Sequence, residues 1–203
     1  MPQPDLERAK QYAFERLERD LPPTAHYHSL HHTRDDVVPA VERLAALEGV
    51  EGDDRLCLLT AACYHDLGHI EHRDDHESVS VRIAAEALPR FGYSPALVER
   101  ITDLILATRW PPHPQTLLEK IIADADLDSL GRDDFLGRSL SLRKELESIG
   151  ITSNDEEWYQ SQLEFLSDHH YHTQAARKLR GPGKQRNIEL VKRLLAETQE
   201  SKT

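Results

Sequence analysis

Apolar positions along the chain recur at helical spacing, and no stretch alternates apolar and polar residues as a half-buried strand would. Residues 5–19 form a polar, helix-favouring run that "LPPT" stops, because proline lacks an amide donor and restricts the residue before it. Thr33 is read as an N-cap, followed by Val37, Val41, Leu44 and Leu47 on one face up to Gly49. A further helix is expected from an Asp53/Asp54 cap through "RLCLLTAACY", whose apolar character nearly all round places it at the centre of a core. Other helices are expected at 76–90, 95–107, 115–127, 133–149, 155–168, 172–180 and 184–198, with breaks at Pro95, "PPHP", Gly131, Gly150 and "GPG". The pattern implies one all-α domain over 1–203, without repeats or linkers.

Composition narrows the function classes. The 203 residues, 38% hydrophobic and 30% charged, carry a net charge of -11, which argues against general attraction to nucleic acid or acidic membranes. An anionic substrate would then need a local basic cluster or a metal. Cys57 and Cys63 lie six apart in the apolar run, about 9 Å along a helix axis and beyond disulfide reach, which suits a reducing compartment. With no apolar leader in "MPQPDLERAK" and no membrane-length apolar run, the expectation is a cytoplasmic protein. Twelve histidines, most of them bunched in "HYHSLHH", "HDLGHIEHRDDH" and "DHHYHT", direct attention to metal.

"CYHDLGHI" admits two readings. On a continuous helix, His65 and His69 would share a face and hold a zinc, as in a metallopeptidase. If the helix ends here, His65 and Asp66 become adjacent ligands of another kind of site. Gly68 favours the second reading, placing His65 and Asp66 in the last turn of a buried helix and His69 past its end. The zinc reading also lacks a glutamate base and a third ligand. In "HYHSLHHT", His32 leads into the next helix and is aimed inward, whereas His26 and His31 are read as solvated. In "IIADADLDSLG", the period of Ile121, Ile122 and Ala125 predicts burial of Asp126, while Asp128 is read as a cap. A buried carboxylate or His–Asp pair asks for a cation.

The order His32, His65–Asp66, Asp126, all on helices, resembles the HD superfamily of metal-dependent phosphohydrolases. The pieces "YHSLHHT", "AACYHDLGH", "HESVSVRIAAEALPRFGYS", "ITDLILATRWPPHP", "DADLDSLGRDDF" and "EWYQSQLEFLSDHHYHT" are similar to small bacterial HD-domain proteins and to HD regions beside nucleotide cyclases. The resemblance implies a helical bundle of nine to ten helices, with a core at 27–130 and C-terminal helices 131–198 packed on it. It implies His32, His65, Asp66 and Asp126 as ligands of a divalent metal (Mn, Fe, Co, Ni or Mg), a set that leaves positions open for water and substrate. One metal is favoured. A second would use Asp66 as a bridge with His69 and His76, and with His28 and His113 further back.

Asp66, His69 and His76 are the catalytic candidates, with His69 or a neighbour as general acid. Glu77 is equally readable as a helix-dipole partner of the segment that His76 opens. Arg109 is a candidate phosphate ligand, or a favourable cation at a helix end. Between His170 and Arg193 seven Lys/Arg face one acid, Glu189; such a run is usually a solvated face, and the sharper reading folds Arg177 and Lys184 back over the metal mouth to hold phosphates. The leading function is hydrolysis of a small phosphorylated molecule, a nucleotide first, with no nucleic-acid or membrane partner and with a homodimer compatible. The alternative is a metal-containing HD module that binds a nucleotide without turnover.

Overall fold

The computed structural model describes residues 3–200 and is helical throughout, with no strand among the described residues. Among the described residues nine α-helices follow one another: α1 Leu6–Asp20, α2 Val38–Leu47, α3 Gly52–Tyr64, α4 His76–Ala87, α5 Pro95–Leu106, α6 Leu117–Asp126, α7 Phe135–Ser148, α8 Asp155–Asp168 and α9 Gln174–Glu200. Short 3₁₀ turns cover Leu67–Ile70, Leu88–Phe91 and Asp128–Gly131. No helix among the described residues is long and apolar enough to cross a membrane.

Helix α3 is the axis of the main core. Every residue from Cys57 to Tyr64 is buried, and α1, α2, α5 and α6 pack around them. Both cysteines are free and buried. A smaller cluster of Leu130, Phe135, Leu166 and Val191 joins the C-terminal helices, while Tyr171, just ahead of α9, and Ala175 and Ala176 at its start belong to the main core.

Four local readings change. Thr33 is a buried residue inside a π-helical stretch, His32–Val37, that runs directly into α2. The Val38 amide donates five residues back to the Thr33 carbonyl, and Pro39 withholds the amide that would close the next α-type turn. Helix α3 starts one residue ahead of Asp53, and Asp53 and Asp54 occupy its first turn, where they favour the dipole, with Glu51 at the cap.

"GPG" does not divide the last helix. α9 continues through Pro182, and Gly183 lies against the Gly131 backbone so closely that a Cβ would overlap its carbonyl oxygen. There glycine serves close packing against the neighbouring 3₁₀ turn.

The three acids of "ADADLD" point three ways, because α6 gives way to a 3₁₀ turn just past Asp126. Asp124 is buried and accepts the His172 and Thr173 amides, each at 2.7 Å, which ties the start of α9 to α6. Asp128 is also buried and is an ion-pair partner where a cap was expected: Arg180 reaches it at 2.8 and 2.9 Å, and Arg43 of α2 at 3.1 Å. Asp126, between them, faces a cavity.

Candidate metal centre

Four elements deliver the central residues. His32 opens the π-helical stretch, His65 caps the C-terminus of α3, Asp66 follows it, and Asp126 ends α6. His32 Nε2 lies 3.1 Å from Asp126 Oδ1 and 3.6 Å from Asp66 Oδ2; His65 Nε2 lies 3.3 Å from Asp66 Oδ2 and 3.4 Å from Asp126 Oδ1. His32, His65 and Asp66 offer ligand atoms all within 4.8 Å of one another. Each imidazole is oriented from behind. The His65 Nδ1–H donates to the Ala62 carbonyl at 2.9 Å, and His32 Nδ1 faces Asp36, itself held by Arg132 and Arg138.

His65 Nε2, Asp66 Oδ2 and His69 Nε2 are buried without a hydrogen-bond partner. Unpartnered buried polar atoms are rare; His69 Nε2 lies on the Oδ1 side of the Asp66 carboxylate, while His65 Nε2 and Asp66 Oδ2 meet at 3.3 Å, which fits a divalent cation there. In its absence, protons take up the charge. Burial opposes the His65 imidazolium, but Asp66 and Asp126 hold its pKa well above the usual range. Burial likewise opposes the Asp66 carboxylate, yet His65 holds it well below its usual range.

These shifts set the pH dependence of the metal-free protein. A raised histidine contributes stability that is present below its ordinary pKa and lost as pH rises through the elevated one. A depressed carboxylate contributes stability that is present above its ordinary pKa and lost as pH falls. Thermal unfolding of chelated protein is therefore expected to show a maximum between the carboxylate and imidazole ranges, and added metal to stabilise most on the alkaline side. Stabilisation by metal that does not grow from pH 6 to pH 8 would count against the arrangement.

A second histidine group meets the other oxygen of Asp66. His76 Nε2 is 3.5 Å and His69 Nε2 3.9 Å from Asp66 Oδ1, and the His69 ring is stacked between His28 and His76 at centroid distances of 4.1 and 4.0 Å. His28, Asp66 and His69 form a further group of ligand geometry, so where one site was favoured the structure gathers two sharing Asp66. Burial, then the neighbouring His28, pushes the His69 pKa down to about 3; the ring is neutral and suited to ligation, not to acid catalysis. His76 differs: burial works against its charge, but Asp66 raises its pKa, and its Nδ1–H donates to the Arg73 carbonyl at 3.1 Å.

His28 is held from α7. Its Nδ1–H donates to Glu145 Oε1 at 2.5 Å, while Glu145 Oε2 accepts the Tyr27 and His28 amides at 2.8 and 3.0 Å. Glu145→Gln replaces this acceptor with an amide that cannot satisfy all three donors. It is expected to weaken metal binding at the His28–His69 group about 10- to 100-fold. Calorimetric titration should show the tighter phase unchanged, and equal weakening of both phases would contradict the assignment.

The remaining sequence candidates separate. Glu77 is buried at the cavity, 3.6 Å from His76 Nε2 and 3.8 Å from Arg109 Nε. Arg109 lies beside the second histidine group, bonded to Asp75 and to Ser78. Arg177 and Lys184 do not cover the metal mouth. They line a separate depression with Lys120, His170 and His172, their side chains spent on the carbonyls of residues 169, 171 and 172. His113 and the exposed His31 lie outside both ligand groups, though His31 bonds Arg138.

A cavity of about 430 Å³ opens beside Asp66, Asp126, His28 and His76 and extends between α7 and α8. Sequence reasoning missed its other members: Arg138, whose guanidinium reaches Asp36 at 2.8 Å, and the α8 stripe Trp158, Ser161, Gln162 and Phe165. The stripe had a visible signal, since "WYQSQLEF" puts polar residues into an inward period. Glu145 and Arg138 had none, standing more than 100 residues from the histidines they hold.

Comparison with known proteins agrees with this geometry. The family model described as the HD domain matches residues 37–129, a span that includes His65, Asp66 and Asp126 and begins just after His32. Comparison with curated proteins gives no match. Two crystal structures share the fold. A predicted HD superfamily hydrolase from an uncultured Thermotogales bacterium is 21% identical, with 96% of this chain and 93% of that one covered at a TM-score of 0.64. Bacillus subtilis YpgQ in complex with ADP is 17% identical, with 95% and 94% covered at 0.67. With the HD motif inside the matched span and His32 brought to it by the fold, residues 37–129 of the chain match the HD domain.

Proposed function

We propose that the protein is a metal-dependent phosphohydrolase acting on a small phosphorylated molecule, a nucleotide. The observation that carries this reading is the meeting of His65 Nε2 and Asp66 Oδ2, buried and unpartnered, beside His32 and Asp126, with Asp66 and Asp126 lining a cavity large enough for a nucleoside. His32, His65, Asp66 and Asp126 would hold the resident metal, and His28 and His69, with Asp66, a second and weaker one. A bound divalent metal offsets charge on a phosphoryl oxygen and makes water a competent nucleophile near neutral pH.

The protein's own groups do the rest. Arg138, the one Lys or Arg lining the cavity among the described residues, is placed to hold a phosphoryl oxygen, with Arg109 at the rim by the second histidine group. His76, its Nδ1–H fixed on a carbonyl and its pKa raised by Asp66, holds a proton at Nε2 for the leaving oxygen. Glu77 orients that ring. The ADP bound by YpgQ, a protein of the same fold, supports a nucleotide over a simple phosphate ester.

The test is a panel of nucleotides and phosphate monoesters with Mn²⁺, Co²⁺, Ni²⁺ and Mg²⁺. Turnover that a chelator abolishes and metal restores is the expected result. Full metal occupancy with every ligand recovered intact would favour a binding module instead.

A further inference from the structure

The far end of the cavity is more specific than an apolar recess. Phe135 and Leu142 of α7 face Trp158 and Phe165 of α8, and into this wall the two helices place Ser139 and Gln162. Their bonding is directional. An indole N–H can only donate, so the Trp158 Nε1–H gives its proton to Ser139 Oγ at 3.2 Å, and the Ser139 hydroxyl passes its own to Gln162 Oε1 at 2.9 Å. Trp158 and Ser139 are buried, which fixes the relay. One of the two lone pairs of Gln162 Oε1 is thereby taken, and no described residue takes its Nε2 protons. With Oε1 already bonded to Ser139, the amide's two Nε2 donors are its wholly unpartnered groups at the cavity.

We propose that Gln162 is a specificity-determining residue that selects a nucleobase carrying a keto oxygen over its amino counterpart. The inference rests on the nucleotide reading above and deepens it. A flat ring seats between apolar walls, the phosphates extend toward Asp66 and Arg138, and the ring's outer edge meets the Gln162 N–H groups. A keto oxygen accepts there; an exocyclic amine would set donor against donor in a partly desolvated recess.

The test compares bases that exchange a keto oxygen for an amine, with the adjacent ring nitrogen turning from donor to acceptor: inosine against adenosine 5′-diphosphate, and uridine against cytidine 5′-diphosphate, binding to Mn²⁺-loaded protein by calorimetry, with turnover read in the same preparations. The keto member of at least one pair is expected to bind about tenfold tighter or more. Gln162→Leu should remove the preference, and Gln162→Glu, which presents only acceptors, should turn it toward the amino base. Equal binding within both pairs by the wild-type protein, or a preference that survives Gln162→Leu, overturns the inference, as does failure of every nucleotide to bind. Preferential binding without turnover of any nucleotide would sustain the base selection while removing the hydrolase reading.

Discussion

Asp66→Ala is expected to leave the purified protein without bound metal and to lower phosphohydrolase activity by about 10³-fold or more. One carboxylate serves both ligand groups: Oδ2 faces His32 and His65, and Oδ1 faces His69 and His76. Its removal therefore takes a ligand from each group at once, whereas His32→Ala takes one from the first alone. A metal contributes several kcal/mol of transition-state stabilisation, and about 4 kcal/mol corresponds to about 10³-fold in rate. Metal content by plasma mass spectrometry, read beside activity, checks this. The exposed His170, outside both groups, supplies the control, since His170→Ala should retain metal. Asp66→Ala protein that keeps stoichiometric metal would rule out the shared role.

Gly68→Ala should destabilise the protein by about 1–3 kcal/mol, as overpacking does, lowering the melting temperature by roughly 2–12 °C in a chain of this length. The glycine lies in the 3₁₀ turn after Asp66, and a Cβ there would overlap the backbone carbonyl of His76. The same place is latched by Ser80, whose Oγ accepts the Gly68 amide at 2.8 Å and donates to the His65 carbonyl at 2.6 Å. Relieving the overlap must move the start of α4, and with it His76 and Glu77, so activity should fall about 10²-fold even where the protein remains folded. Gly137, in α7 with nothing near its missing Cβ, gives the contrast: Gly137→Ala should stabilise by about 0.5–1 kcal/mol. Equal melting shifts for the two variants would show that the close approach at Gly68 is unimportant.

Gly68 also shows what a sequence reveals about such a fold. It was read as a helix terminator, and α3 does end just before it, but the need for glycine comes from a backbone eight residues later that local pattern cannot display. Helices were legible because each buries one stripe, and the 3.6-residue period survives in the sequence. "GPG" misled because glycine and proline signal a break locally, whereas here Gly183 packs against Gly131. The ligands were legible as a spaced set of histidines and acids. Their supports were not: Glu145 behind His28, and Arg132 and Arg138 behind Asp36, are ordinary helix residues until folding brings them near. Arg177 and Lys184 show the converse, since a basic run states composition and not direction, and these two side chains close on nearby carbonyls.

The most direct test of the metal centre is anomalous diffraction from crystals grown with Mn²⁺, recorded at the manganese edge. A peak is expected on the Asp66 Oδ2 side, among His32, His65 and Asp126, with a second, weaker peak on the Oδ1 side beside His28 and His69 at higher metal concentration. Well-ordered crystals with no peak among His32, His65, Asp66 and Asp126 would contradict the account.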